Sequence, residues 1–281
     1  MTRRPRLALL TLLLACVPVW ANAQVSLGAA ATRERLRWHF ENPSSYDTPA
    51  LVPHYFEQDY RLDTVWLTAR ASYRAGLDWH TTAEASPRVT RLATDYDTFF
   101  NPGGVTWVSG TSGDARVNGV LLSQAVELER IGGVRVSGGY RFRIDRADFL
   151  AGDRTDSRNG TVVSRTLVTT REFTTGQQHE VFVAASRDWP LTPRWTARAE
   201  GDVSPAAINR LSVRLPDKYP GRTLVYRTTA AVTAGRIEIS GGHSRWPLTL
   251  SLAGSRTWNY SSTQWVRRSA LTLGASVGRH W

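Results

Sequence analysis

Past Cys16 the chain of 281 residues contains no cysteine, so beyond that point it can form no disulfide, thiolate nucleophile or thiolate metal site. Lysine is almost missing as well. Lys218 is the single lysine among 35 basic residues, and all the others are arginines. After residue 23 there is no apolar run of about twenty residues, which excludes helical membrane spans. Histidines show no metal-ligand spacing, and the loop aspartates lack the periodicity of a calcium loop. Gly132-Gly133 and Gly138-Gly139 fall at a turn and within a strand pattern instead of before a helix, so they cradle no nucleotide. The serines between Ser109 and Ser112 have no His–Asp pair beside them in sequence. Metal, nucleotide and serine- or cysteine-nucleophile chemistry are thereby disfavoured, and no cofactor is expected.

What is present begins at the N-terminus. Arg3, Arg4 and Arg6 precede an apolar stretch from Leu7 to Ala15, and Ala21-Asn22-Ala23 offers a small-x-small cleavage site before Gln24. This is the pattern of a secretory signal peptide over residues 1–23, leaving one mature domain over residues 24–281. Leu13-Leu14-Ala15-Cys16 loosely resembles a lipobox, so lipidation of Cys16 stands as an alternative. Cleavage removes three of the 35 basic residues against 24 acidic ones, and the formal charge falls from +11 to +8. The planar fork of arginine suits carboxylates and phosphates. These cations therefore either fill an interior with charge networks or meet lipid-A-type phosphates. They alternate along strand patterns and form no patch, so no nucleic-acid partner is expected.

The clearest pattern closes the chain. Leu271, Leu273, Ala275, Val277 and Trp281 point one way at period two, while Thr272, Gly274, Ser276, Gly278 and His280 point the other. Arg279 interrupts the apolar face two residues from the end, where its guanidinium can reach an interface. Between residues 64 and 80, Val65, Leu67, Ala69, Ala71, Tyr73, Ala75, Leu77 and Trp79 share one face. Val134, Val136, Tyr140, Phe142 and Ile144 likewise alternate with Arg135, Ser137, Arg141, Arg143 and Asp145, and shorter versions run through Leu36-Trp38-Phe40 and Trp195-Ala197-Ala199.

A last strand that ends on an aromatic in this way resembles the terminal strand of bacterial outer-membrane β-barrels. The resemblance implies an all-β, transmembrane, antiparallel up-and-down barrel in the outer membrane, with apolar faces toward lipid and polar faces inward. Only a closed barrel satisfies the backbone of a bilayer-spanning chain that has no helical spans. It further implies contact with outer-membrane lipid and lipopolysaccharide, insertion by the barrel assembly machinery through the C-terminal strand, and a monomer. Trp79, Trp189, Trp195, Trp246 and Trp281 suit interfacial girdles. A soluble periplasmic β-sandwich is the alternative fold. Inside the barrel, Arg35, Arg37, Arg70, Arg74, Arg141, Arg143 and Arg198 are expected with Glu41, Asp78, Asp145, Glu200 and Asp202. Buried charges of this kind must pair.

Tight connections are read at Asp63, Gly132-Gly133, Trp189-Pro190-Leu191-Thr192 and Trp246-Pro247-Leu248-Thr249. Longer polar stretches cover 43–50, 86–116, 149–165, 213–222 and 260–264. Four short turns and five long loops give ten strands with both termini periplasmic. Turns at 174–178 and 234–236 would make the count twelve.

The longest loop, 87–116, is where chemistry is expected. It contains Asp95-Tyr96-Asp97, two carboxylates at i and i+2 that point the same way on extended chain and can share a water. It also holds the aromatics Phe99, Phe100 and Trp107. In layout the chain resembles the omptins, ten-stranded outer-membrane barrels that act as surface endopeptidases. The strand count agrees, a Trp-Pro-Leu-Thr turn precedes an outgoing strand, and Asp95-Tyr96-Asp97 falls in the second outer loop. The resemblance implies that Asp95 and Asp97 are a catalytic pair. It also requires an Asp and a His, one residue apart, in the fourth outer loop, where 213–222 offers Asp217 and Lys218 but no histidine. His179, His243 and His280 fall at other places, and His39, His54 and His80 belong to the first three strands. Three functions follow as expectations. The first is a non-catalytic surface barrel that binds a ligand or partner through Phe99, Phe100 and Trp107. The second is an omptin-like endopeptidase using Asp95 and Asp97, and the third is a narrow anion-permeable pore.

Overall fold

A computed structural model describes residues 23–41, 54–100, 104–149, 151–243 and 246–280. Residues 1–22 of the expected signal peptide, Cys16 among them, and Trp281 lie outside the described residues. The described chain is built of strands: β1 (Gln24–Glu41), β2 (His54–Ala75), β3 (Leu77–Phe100), β4 (Thr106–Ile131), β5 (Val134–Phe149), β6 (Gly152–Arg158), β7 (Thr161–Val168), β8 (Glu172–Thr192), β9 (Trp195–Arg214), β10 (Leu224–His243), β11 (Trp246–Asn259) and β12 (Gln264–His280). Ten of them pair antiparallel with their neighbours into a ring, which β12 closes on β1 from Gln24↔His280 to Phe40↔Gln264. The remaining two, β6 and β7, form a hairpin that continues the sheet from the upper part of β4. Residues 174–178 and 234–236 lie inside unbroken strands, so the ring has ten members and not twelve.

The first short turn is not at Asp63. That residue sits in the middle of β2 opposite Arg33, and the chain reverses at Gly76, whose φ of +74° suits a residue without a Cβ. The second short turn is Gly132-Gly133, again at positive φ. Trp189–Thr192 ends β8 and Trp246–Thr249 opens β11, so the two Trp-Pro-Leu-Thr copies share the short-turn side, one entering a turn and the other leaving one. On the opposite side the expected loop 86–116 is mostly ladder, with pairing continuing to Phe100↔Thr106. Most of 149–165 is the β6–β7 hairpin. Asn159 (φ +48°) and Gly160 (φ +82°) turn that hairpin, as an Asn-Gly pair between strands does.

A bilayer needs about 9–11 residues of tilted strand. The ten ring strands run from 14 residues in β11 to 26 in β4, so the long-loop half of the barrel stands in water. The faces of β1 reverse accordingly. Leu27, Ala29 and Ala31 face outward in the lower half, and the same face then carries Arg33, Arg35, Arg37 and His39. Arg33 bonds Asp63 at 3.0 Å, Arg35 bonds Asp59 at 2.6 Å and His39 bonds Glu57 at 2.8 Å, all on the outer wall. Arg35, Arg37 and Glu41 therefore do not line the lumen as expected. Leu36, Trp38 and Phe40 point inward instead of toward lipid. Where the outside of the barrel meets water, burial drives the apolar face to the inside.

Those inward rings build a core in the upper barrel. Phe40 stacks on Tyr226 at 4.7 Å, Phe56 approaches Tyr226 at 5.6 Å, and Leu62, Val117, Leu211, Val213 and Val266 close around them. Beneath this plug Glu34, Arg143, Asp145 and Arg268 form one ionic cluster across the lumen. Below it again lies a cavity of about 750 Å³ on the short-turn side.

Candidate functional site at the outer rim

An irregularity in β3 between Ser86 and Val89 sets the rim. Below it Glu84 and Ser86 lie on the inner face, and above it Ala93 and Asp95 do. A bulge shifts the parity of a strand by one residue and so re-aims everything beyond it. Asp95 pairs with Gln58 of β2 and Thr111 of β4, and Asp97 pairs with Phe56 and Ser109. Register thus gives the two aspartates one face. The side chains of Asp97, Phe99 and Phe100 are outside the described set, whereas Asp95 is half-buried.

Asp95 belongs to a polar layer that rests on the aromatic plug. Gln58 Nε2 donates to Glu172 Oε1 at 2.5 Å, and the hydroxyls of Tyr60 and Thr174 share a hydrogen bond of 3.1 Å. Burial, and then the charges of Glu172 and Asp95, push the Tyr60 phenol well above its ordinary range. Higher still, Phe99, Trp107 and Arg158 occupy one row across β3, β4 and β6, and Trp107 is 37% exposed. The hairpin tip is fastened beside them by two bonds of 2.9 Å, from Asn159 N to Thr106 O and from Thr106 N to Asn159 Oδ1.

The histidines are distributed around the barrel. His39 is on the outer wall, stacked on Trp265 at 4.9 Å. His80 bonds Ser72 in the lower lumen at 2.9 Å, and His179 bonds the Tyr140 hydroxyl at 2.6 Å. His243 and His280 end their strands on the short-turn side. His54 shares the inner face of the rim, buried on β2 opposite Phe99 and diagonal to Asp97, whereas His39 at a similar height is on the outer wall. In the fourth long connection, Asp217 is held by Arg171 through its guanidinium (2.9 Å) and backbone N–H (3.1 Å), and this grip lowers its pKa to about 2. The Asp–His pair required of an omptin is absent from that connection.

Inside the barrel, Arg70 meets Glu238 at 2.9 Å, and Arg141 bridges Glu180 (3.3 Å) and Asp202 (3.1 Å). Arg143 meets Glu34 at 2.8 Å and Asp145 at 3.0 Å, while Arg74 and Asp78 stand 3.9 Å apart at the short-turn mouth. Glu34, Glu180, Glu238 and Arg268 were not singled out in the sequence, because Arg143, Arg141, Arg70 and Asp145, which they meet, lie far from them along the chain. Glu34 was legible in part, as a lone carboxylate in phase with Thr32 and Leu36. The β6–β7 hairpin had a direct signal in Asn159-Gly160.

A closed ten-stranded antiparallel ring, with an outward apolar band, short turns on one side and long extensions on the other, is an outer-membrane β-barrel. Its wall contacts outer-membrane lipid and, toward the long loops, lipopolysaccharide. No protein-family model matches the sequence, and no curated protein matches it significantly. Among solved structures it is similar to the outer-membrane protease OmpT of Escherichia coli, with a TM-score of 0.66 and 8% identity over 93% of this chain and 97% of that one. The translocator domain of the autotransporter NalP from Neisseria meningitidis aligns with a TM-score of 0.36 and 10% identity over 98% and 94% of the two chains. Neisserial surface protein A aligns with a TM-score of 0.33 and 11% identity over 92% and 97%. The likeness to OmpT is one of fold.

Proposed function

We propose that this barrel is a non-catalytic surface protein whose outer rim binds a ligand or partner. One observation carries the reading. The carboxylates at the rim sit on a packed aromatic core, while the open space of the barrel lies beneath that core and beneath the ionic cluster. What stands highest is a raised sheet of β3, β4, β6 and β7, on which the exposed Trp107 offers an aromatic anchor of the kind that dominates binding surfaces, with Phe99 its partner in register. The chain acts as a monomer, loses residues 1–23 on export, and is inserted by the barrel assembly machinery through its C-terminal strand.

A second reading, an endopeptidase, draws on Asp95 and Asp97 sharing one face with His54 on the adjacent strand. A third, a narrow anion pore, draws on Arg70 and Arg141 in the lumen. Refolded protein is expected to cleave no peptide carrying paired basic residues and to give no stepwise conductance in planar bilayers. Cells displaying it are expected to bind at least one member of an array of extracellular proteins and glycans. That binding is lost in Trp107→Ser and kept in Asp95→Asn. Cleavage abolished by Asp95→Asn or Asp97→Asn would establish the protease. Conductance steps diminished by Arg70→Gln and Arg141→Gln would establish the pore.

A further inference from the structure

Among the described residues β7 pairs only with β6, so one edge of the raised sheet ends there. Beyond an irregularity at Val163, residues Ser164 to Val168 pair regularly with Asp156 to Gly152. Their other edge presents unpaired backbone N–H and C=O groups, which is a template for a further strand. Apolar side chains accompany that edge into water, with Val162 47%, Val163 51% and Leu167 68% exposed, although the hairpin stands above the lipid band. The edge is also held in shape, since the Asn159-Gly160 tip is bonded to Thr106 and Ser164 Oγ donates to Asp156 at 2.8 Å.

The charges of the hairpin are unequal. Asp156 is engaged by Arg154 at 2.9 Å and by Ser164. Arg158 and Arg165 have no carboxylate within ion-pair distance among the described residues. Arg165 shares a face with Leu167 by alternation, so it selects the strand that joins this edge and does not close it off. A second copy of β7 centred on Arg165 would set two guanidiniums opposite each other, a repulsive arrangement.

We infer that β7 is a strand-addition site for an extended segment of a partner protein in which a carboxylate and an apolar residue stand two positions apart, on one face of the strand. A carboxylate would oppose Arg165, an apolar side chain would cover Leu167, and main-chain hydrogen bonds would supply the remaining affinity. This rests on the reading of the rim as a binding surface, and it names the part of that surface and the chemistry of its occupant.

The test uses the refolded full-length barrel in detergent micelles and a fluorescent peptide, acetyl-Thr-Glu-Thr-Val-Thr-Glu-Thr-Val-amide, whose Glu and Val side chains share one face, beside a counterpart with Lys in place of Glu. The acidic peptide is expected to bind, to slow amide exchange in Thr161 to Val168, and to lose at least tenfold in affinity on Arg165→Glu. That variant is expected to take the Lys peptide instead. Leu167→Ser, which leaves Arg165 in place and adds no charge, should weaken the acidic peptide as well. Failure of the wild type to bind, equal binding of both peptides, indifference to Arg165→Glu, or protection appearing outside β7 would each overturn the site. If the peptide fails while Trp107-dependent binding to the array persists, the β7 site alone falls. Loss of the array binding sinks the rim reading itself.

Discussion

Arg143 and Glu34 are 109 residues apart in the chain and meet across the barrel, Nη2 at 2.8 Å from Oε2. Asp145 receives Arg143 at 3.0 Å and Arg268 at 2.5 Å, so two carboxylates and two guanidiniums neutralise one another beneath the aromatic plug. Removing one carboxylate leaves an excess cation in a buried place. Asp145→Asn is therefore expected to lower the unfolding free energy by about 3–5 kcal/mol, measured by urea unfolding in phospholipid vesicles with tryptophan fluorescence. Replacing Glu34 and Arg143 together by Leu and Met should be milder than the sum of the single changes, and additive losses would contradict a shared network.

The lipid band can be located by charge. Ala275 is exposed on the outer face of β12, between Ala29 of β1 and Leu250 of β11, deeper in the apolar band than Ala31. Ala275→Arg is expected to destabilise by about 2–4 kcal/mol. Ser269→Arg, six residues toward the long loops, should cost less than about 1 kcal/mol. Equal penalties at the two positions would mean that the band is misplaced.

Arg210 of β9 and Arg227 of β10 are direct cross-strand partners, both exposed just above Ile208. Like charges set opposite each other repel unless an anion lies between them. Lipopolysaccharide should raise the melting temperature of the wild-type barrel more than that of Arg210→Gln/Arg227→Gln. An identical shift in both proteins would remove these arginines from the lipid contact.

Asp217 provides a pH marker. Its carboxyl, lowered to about 2 by the Arg171 hydrogen bonds, favours the native clasp above its ordinary pKa near 4, and that contribution disappears as pH falls through 2. Carboxyl NMR should show this group still ionised at pH 3. In Asp217→Asn the Arg171 amide should exchange faster at neutral pH, with little change in global stability. Protonation of Asp217 near pH 4 would argue against the clasp.

Strand number, alternation and the sidedness of the termini were legible because each rests on local signals of period, turn and chain end. The first short turn was not. Ala75 pairs with Leu77 and Tyr73 with Trp79, so the alternation passes through Gly76 without losing phase, and the reversal leaves no trace in the pattern. Asp63 looked like a break only because its partner, Arg33, lies thirty residues away. The pattern also gave the faces of Leu36, Trp38 and Phe40 without saying which face was inside. That depends on whether lipid or water lies outside, which changes partway along the strand.

At the rim, Asp95, Thr98, Ser109, Gly110 and Thr111 have the composition of a loop, yet the chain continues as a ladder there. Cross-strand pairing satisfies the backbone and leaves the side chains free to be polar. The common face of Asp95 and Asp97 could be read from their spacing. Their neighbours Gln58, Tyr60 and Glu172 could not, because they arrive from β2 and β8 through register and closure.

The change of face along β1 also fixes how deep the barrel rides. A slide of two residues along its axis would keep every side chain on its proper side of the wall. It would nevertheless draw Arg33 down among acyl chains, or lift Ala31 and Leu273 into the sugar layer. The wall thus carries a waterline, written in the single step from Ala31 to Arg33, that holds the rim at a set height above the cell.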